Sequence, residues 1–288
     1  MAIVKTTDIN VTPRVIDFVS QFNTNIERLF AVMGVSNMVV RPAGADVKVK
    51  TAVVPSLASS PAEGEAITPT SASVTEASLG SIVIEKYCVG ATVEAISQYG
   101  YDDAIRRVDE AFFNKQRAAI LGKFYTFLAT GTLSASATGF QATLAAAIGK
   151  VKNYFLSNDL SYTGTVAFVN INDFYAYLGG ASITVQSEFG MFYIQNFLGA
   201  EIVILCDDNC VASGKMYVTA INNLIGYHIN PSDPAFAQAD IPYYTEASGV
   251  IGAAGVPDYS TASAKLYTIY GITLAAEYLG GICVGTIN

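Results

Sequence analysis

The stretch SLASSPAEGEAITPTSASVTEAS, Ser56 to Ser78, limits what this chain can fold into more than any other segment. Ser, Ala, Thr and Pro fill 16 of its 23 positions, and Leu57, Ile67 and Val74 are its only larger aliphatics. Such a segment cannot enclose a core. It also exceeds the ~12–15 residues beyond which a structureless connection inside a compact domain is uncommon unless it is functional or disordered. Strand patterns flank it. ADVKVKTAVV alternates Val47, Val49 and Val53 with Lys48 and Lys50, the period of a half-exposed strand, and GSIVIEKYCVG, Gly80 to Gly90, is the expected return. The expectation is a long two-stranded flap. An isolated ribbon of this kind is marginal in water, so it needs a surface outside itself.

The remainder can build a core. Of 288 residues, 51% are hydrophobic and only 14% charged, so much of the surface is uncharged or covered, which favours an oligomer. A formal charge of −8 argues against a chain whose task is gripping nucleic acid, because that requires a positive field along the backbone path. Four scattered cysteines, Cys88, Cys206, Cys210 and Cys283, and an N-terminus without a basic-then-apolar pattern make a reducing cytoplasm the default. The sequon at Asn10 then carries little weight. The apolar tail, Ile269 to Asn288, holds Glu277 near its middle and has no basic flank, so it reads as buried strands rather than a membrane span.

Two helices stand out. Pro13 to Gly34 spaces Val15, Phe18, Val19, Phe22, Ile26, Leu29, Phe30 and Met33 at three- and four-residue steps, with Thr12 placed as a cap and Gly34 as the stop. It would form a leading arm of about 30 Å. Tyr99 to Gly131 places Ile105, Val108, Phe112, Ile120, Phe124 and Phe127 on one stripe. Asp102, Asp103, Asp109 and Glu110 crowd its first turns, and Lys115, Arg117 and Lys123 follow, the order a helix dipole prefers. Arg106 and Arg107 project off the stripe. After a Gly/Ser break, GTLSASATG, a mixed pattern follows. ATLAAAIGKVKNYFLSN and INDFYAYLG read as helices, while TVAFVN, GAEIVIL and GKMYVTAINNLIGYHI read as strands, which suggests a sheet with helices packed on it. Turn-rich segments from Asn230 and Glu246 lead to closing apolar strands.

Reactive constellations are nearly absent. No phosphate loop, His-Glu-x-x-His or Gly-x-Ser-x-Gly occurs, and the single histidine, His228, sits in the apolar run LIGYHIN. Cys206 and Cys210 in CDDNC offer half a metal site with no second half, and Asp207–Asp208 or Asp102–Asp103 fit a polar loop and a helix N-terminus better than acid chemistry. The 17 Tyr and 15 Phe fall on core-spaced stripes instead of interleaving with Lys and Arg. No catalytic, cofactor-binding or metal residue is therefore assigned.

The order of parts is specific. A leading arm, the Ser/Thr/Ala/Pro-rich flap, the run VEAISQYGYDDAIRRVDEAFFNKQRAAILGKFYTFLATG, a mixed domain opening with LAAAIGKVKNYFLSNDLSYTGTVAFVNINDFYAYLG and the closing YGITLAAEYLGGICVG together resemble a major capsid protein of tailed bacteriophages with the HK97 fold. The resemblance implies an α+β chain with an N-terminal arm at 1–35 and an extended hairpin, the E-loop, at 36–88. A peripheral domain with a long spine helix follows at 89–142 and 230–273, and a mixed α/β axial domain at 143–229 and 274–288. It further implies hexamers and pentamers forming an icosahedral shell around double-stranded genomic DNA held without sequence-specific binding, assembly in the host bacterial cytoplasm and residence in the virion. A portal, a decoration protein as an optional part, and a separate scaffold protein or a processed N-terminus follow from it too, with no cofactor and no membrane. An encapsulin-like nanocompartment of the same fold is the alternative. Inter-subunit contacts are expected from Phe18, Phe22 and Ile26 of the arm, from Glu63, Glu65, Ile67, Val74 and Glu76 of the flap, and from Arg106, Arg107, Lys115 and Arg117 of the spine. The acidic flap would meet the basic spine of a neighbour. The flap tip, Ser56 to Ser78, lacks Lys and Asn, so its contacts should be non-covalent.

Overall fold

The computed structural model describes residues 13–179, 183–188, 191–234, 236, 243–246 and 249–288. The expected cap Thr12, the sequon at Asn10 and most of the turn-rich stretch at 230–242 lie outside the described residues.

Helix α1 (Pro13–Val32) opens the described chain and stops at Gly34, whose φ of 73° lies in the left-handed region glycine tolerates. All eight apolar positions of its predicted stripe are buried. Strand β1 (Val35–Val40) follows, then the ribbon strands β2 (Asp46–Val53) and β3 (Ser73–Ser81), and then β4 (Glu85–Thr92). The spine consists of α2 (Val93–Tyr99), a π-turn at Asp102–Arg106 and α3 (Arg107–Leu128).

A seven-stranded mixed sheet dominates the second half. Its strands are β5 (Leu133–Ala137), β6 (Thr165–Asn170), β7 (Gln186–Glu188), β8 (Met191–Phe197), β9 (Ala200–Cys206), β10 (Lys215–Ala220) and, from the chain end, β15 (Ile282–Ile287). The spatial order is β5-β15-β10-β6-β9-β8-β7. Helices α4 (Phe140–Ser157) and α5 (Ile171–Leu178) cover one face. Every residue of β6 is buried, because Ala167 and Val169 pack toward the α4 side while Val166 and Phe168 face a second core containing α1 and α3. A strand covered on both faces reads as an uninterrupted apolar run, which is what TVAFVN is.

Two smaller sheets complete the fold. Strand β11 (Leu224–His228) pairs with β1 on one side and with β14 (Ile272–Ala276) on the other, and β13 (Ser263–Tyr270) lies between β12 (Ile251–Asp258) and β4. The chain leaves the large sheet between β10 and β11 and returns between β14 and β15. Asn223 ties these crossings together: its Nδ2 donates to Thr219 Oγ1 (2.9 Å) and the Tyr278 carbonyl (3.1 Å), and its Oδ1 accepts from the Tyr278 N–H (2.8 Å).

Four sequence expectations are corrected. The return of the ribbon is β3, inside the Ser/Ala/Thr-rich stretch, so the connecting loop spans 54–72. GSIVIEKYCVG instead supplies β4 to the sheet under the spine. Small residues suffice in β3 because, among the described residues, no other strand pairs with the ribbon and most of its side chains are exposed. The assignment of 36–88 to the hairpin included β1, which pairs in parallel with β11. GTLSASATG, read as a break, contains β5, an edge strand paired in parallel with β15. Finally, Val108 is 37% exposed. The π-turn adds a residue just before it, and the inward position falls to Asp109, whose carboxylate oxygens each accept from Arg14 (Nε and Nη2, both 2.6 Å).

Candidate assembly surfaces

Among the described residues, the ribbon is attached at its base. Val47 and Ile82 are buried there beside Ile229, Ile269 and Ala275, and backbone hydrogen bonds Gly44 N–H to Ile82 O and Ile82 N–H to Ala45 O close the stem. Beyond the base, β2 and β3 pair with each other and with no other strand among the described residues. Leu57 and Ile67 are 83% and 84% exposed, and Val54 and Val74 are also exposed. Aliphatic side chains so far from any core are the mark of a surface awaiting a partner. On one face of the ribbon, Lys48 and Lys50 flank Glu76, with Lys48 Nζ 2.6 Å from its carboxylate. That ammonium holds the Glu76 carboxyl below its ordinary range and is itself raised by the same hydrogen bond.

The spine presents the second surface. Arg106 pairs with Asp102 and Arg107 with Asp103 one turn earlier, while Lys115 is exposed and forms no ion pair among the described residues. Tyr99 and Tyr101 are exposed where α2 meets the π-turn. A groove of about 630 Å³ runs between α1 and the start of the spine, floored by Phe18, Ile105 and Phe113 and rimmed by Gln21, Asn25 and Asn114.

The chain's architecture as a whole is similar to that of solved structures. The mature capsid of bacteriophage PhiM1 matches with a TM-score of 0.56 at 8% identity, over 89% of this chain and 86% of that one. The capsid of cyanophage A-1(L) matches at 0.53 and 15% identity over 97% of each. The holo-SrpI encapsulin complex of Synechococcus elongatus PCC 7942 matches at 0.52 and 11%, over 99% and 91%. This chain has the HK97 capsid fold. No family model and no curated protein matches it in sequence, so the HK97 likeness is one of architecture.

Within this HK97 architecture the expected contact residues separate into two groups. Glu63, Glu65, Ile67 and Val74 are exposed on the ribbon, and Lys115 is exposed on the spine. The others already have partners in their own chain. Glu76 lies in β3 and pairs with Lys48 and Lys50, Arg106 and Arg107 pair along the helix, and Arg117 is half-buried with an interaction of its own. Phe18, Phe22 and Ile26 require a correction: they are buried in the subunit's main core, where Phe22 meets Phe113 edge-on at 5.4 Å and stacks on Tyr270 at 6.2 Å. A helix with apolar residues on so wide a face is stabilised by docking on the nearest apolar surface, here α3 and the sheets beneath it.

Sequence reasoning missed two polar anchors of the arm. Asp109 looked like a solvated first-turn acid, yet the side chains of the Arg14–Asp109 pair are only 13% and 14% exposed. Asn23 is buried, its Oδ1 accepting from the Val250 N–H (3.0 Å) and its Nδ2 donating to Glu246 (3.1 Å). A polar residue in the middle of an otherwise apolar helical face was the available signal. The chemical candidates have structural partners: Asp208 accepts from Asn170 and Asn172, and Asp207 from the Cys210 N–H. Burial pushes the Cys206 thiol up to about 12 and lowers the pKa of His228, whose ring lies in β11 against the Ile229 carbonyl. Among the described residues no cluster of three His, Cys, Asp or Glu could hold a metal, and no helix is long and apolar enough to cross a membrane.

Proposed function

We propose that this chain is the major subunit of an icosahedral phage shell, assembling as hexamers and pentamers around double-stranded DNA held without base-specific contacts. The observation that carries this reading is the ribbon, a 19-residue loop at 54–72 on two strands that no other strand among the described residues pairs with. In such a shell the ribbon is the E-loop, α2 to α3 with β4, β12 and β13 form the peripheral domain, and the seven-stranded sheet forms the axial domain. The role is structural: Asp207 and Asp208 are engaged by loop hydrogen bonds, and the Cys206 thiol is buried. Assembly would take place in the host cytoplasm with a separate scaffold and a portal, a decoration protein being an optional addition, and the product is the virion.

Deleting Ser59 to Ser73 tests the reading. The deletant is expected to keep the circular dichroism and melting temperature of the parent subunit, because these residues touch no core, and to yield no closed particles in negative stain. Closed shells from the deletant would refute the proposal. An encapsulin-like compartment is the second reading, supported by the near-complete coverage of the Synechococcus encapsulin. Nucleic acid recovered from particles made beside their neighbouring genes supports the phage reading, and protein cargo supports the compartment.

A further inference from the structure

The connections that cross between the large sheet and the β1-β11-β14 sheet border a small cavity of about 230 Å³. Three separate stretches of chain line it: Phe155 near the end of α4 with Tyr162 before β6, Asn222 and Asn223 between β10 and β11, and Glu277 and Tyr278 between β14 and β15. The walls are held in place. Asn222 Nδ2 donates to Thr163 Oγ1 (2.9 Å), and the Glu277 N–H donates to the Asn223 carbonyl (2.8 Å). Gly281 makes room for the floor, because a Cβ there would stand 2.8 Å from the Phe155 ring. Drug-sized ligands occupy pockets of about 300 Å³ and more, so this one suits a small head group.

Its chemistry is that of an aromatic corner with one acid. Phe155, 2% exposed, meets Tyr162 at 5.7 Å and 50°, and Tyr278 at 5.9 Å and 82°. Rings at such angles stand as walls around a space instead of stacking on each other. Their faces are electron-rich and attract a cation within about 6 Å of the ring centre, the arrangement that recognises quaternary ammonium groups. Glu277 supplies a carboxylate. It is exposed and forms no ion pair among the described residues. It lies close enough to Tyr278 to join burial, the larger cause, in raising that hydroxyl's pKa. No Lys or Arg lines the cavity to compete for it.

We propose that this cavity binds an alkylammonium head group, its cation held against Phe155, Tyr162 and Tyr278 and paired with the Glu277 carboxylate. This goes beyond the shell role and does not rest on it. Rings and carboxylate act on the same positive charge, whereas an uncharged ligand of the same shape keeps only the apolar contact. Occupancy also joins all three stretches of chain. A bound cation therefore braces the crossings that Asn223 ties and stabilises the folded chain by mass action.

Calorimetric titration of the purified chain tests this with two cations, choline and n-butylammonium, and with 3,3-dimethylbutan-1-ol, the uncharged isostere of choline. At least one cation is expected to bind saturably at one site per chain and to raise the melting temperature. The alcohol should bind at least about tenfold more weakly, the factor for losing ~1.4 kcal/mol of charge-dependent attraction. Preference for choline marks a quaternary head group as the ligand, and preference for butylammonium marks a primary amine such as a lysine side chain or a polyamine. Glu277→Gln, at an exposed position, should leave the ligand-free melting temperature unchanged and weaken the cation about tenfold. Tyr162→Leu keeps an apolar wall without a π face, so it should weaken the cation and spare the alcohol. No saturable binding by either cation, an alcohol of equal affinity, or unchanged affinity in Glu277→Gln overturns the proposal.

Discussion

Phe22→Ala is expected to destabilise the unassembled subunit by about 3–5 kcal/mol, the range for truncating a fully buried phenylalanine. Phe22 is 1% exposed and lies between Phe113 and Tyr270, and Phe18 and Phe112 extend the same aromatic cluster. No other ring can swing into the space without leaving its own contacts, so the cavity persists. The measurement is the denaturant midpoint of the dissociated subunit. A midpoint at the parent value, coupled with loss of particles, would return this residue to a contact between chains and would contradict the docked position of α1.

Asp109→Ala is expected to cost about 3 kcal/mol, at the lower end for breaking a buried ion pair because a little solvent reaches it. The loss comes less from the missing attraction than from leaving the Arg14 guanidinium nearly desolvated at the junction of α1 and α3. The double variant Arg14→Met with Asp109→Leu should regain most of that loss, since two apolar side chains fill similar volume without a charge to desolvate. A cycle comparing the single and double variants by thermal melting isolates the coupling. Equal destabilisation by the double and the Asp109 single variant would show that the pair matters through shape alone.

The legible parts of the sequence were those whose physics is local. The stripe of α1 was read in full because helical periodicity and a terminal glycine need no tertiary information. TVAFVN and GAEIVIL were recognisable as strands because burial on both faces leaves an apolar run. What the stripe could not say was what it faces. Inter-chain and intra-chain burial leave the same pattern, and only the placement of α3 and Tyr270 decides between them for Phe22. The ribbon was foreseen but its return was misplaced, because β3 carries so few large side chains that the more apolar Gly80–Gly90 run outcompeted it on propensity. Asp109 and Asn23 stayed hidden because their partners, Arg14 and the segment around Val250, are 95 and 227 residues away. For the assembly surfaces, the exposed tip acids were visible in advance. The engagement of Arg106, Arg107 and Glu76 within their own elements emerged only from geometry.

The absence of any basic residue between Lys50 and Lys86 has a practical side. Trypsin finds no bond to cut anywhere along the tip, free or occupied, so a tryptic map stays blind to whatever the tip is doing. A glutamate-directed protease meets Glu63 and Glu65 on an exposed loop. Cleavage there in loose chains and its suppression in closed particles would turn two side chains into a counter of docked tips, with no label introduced.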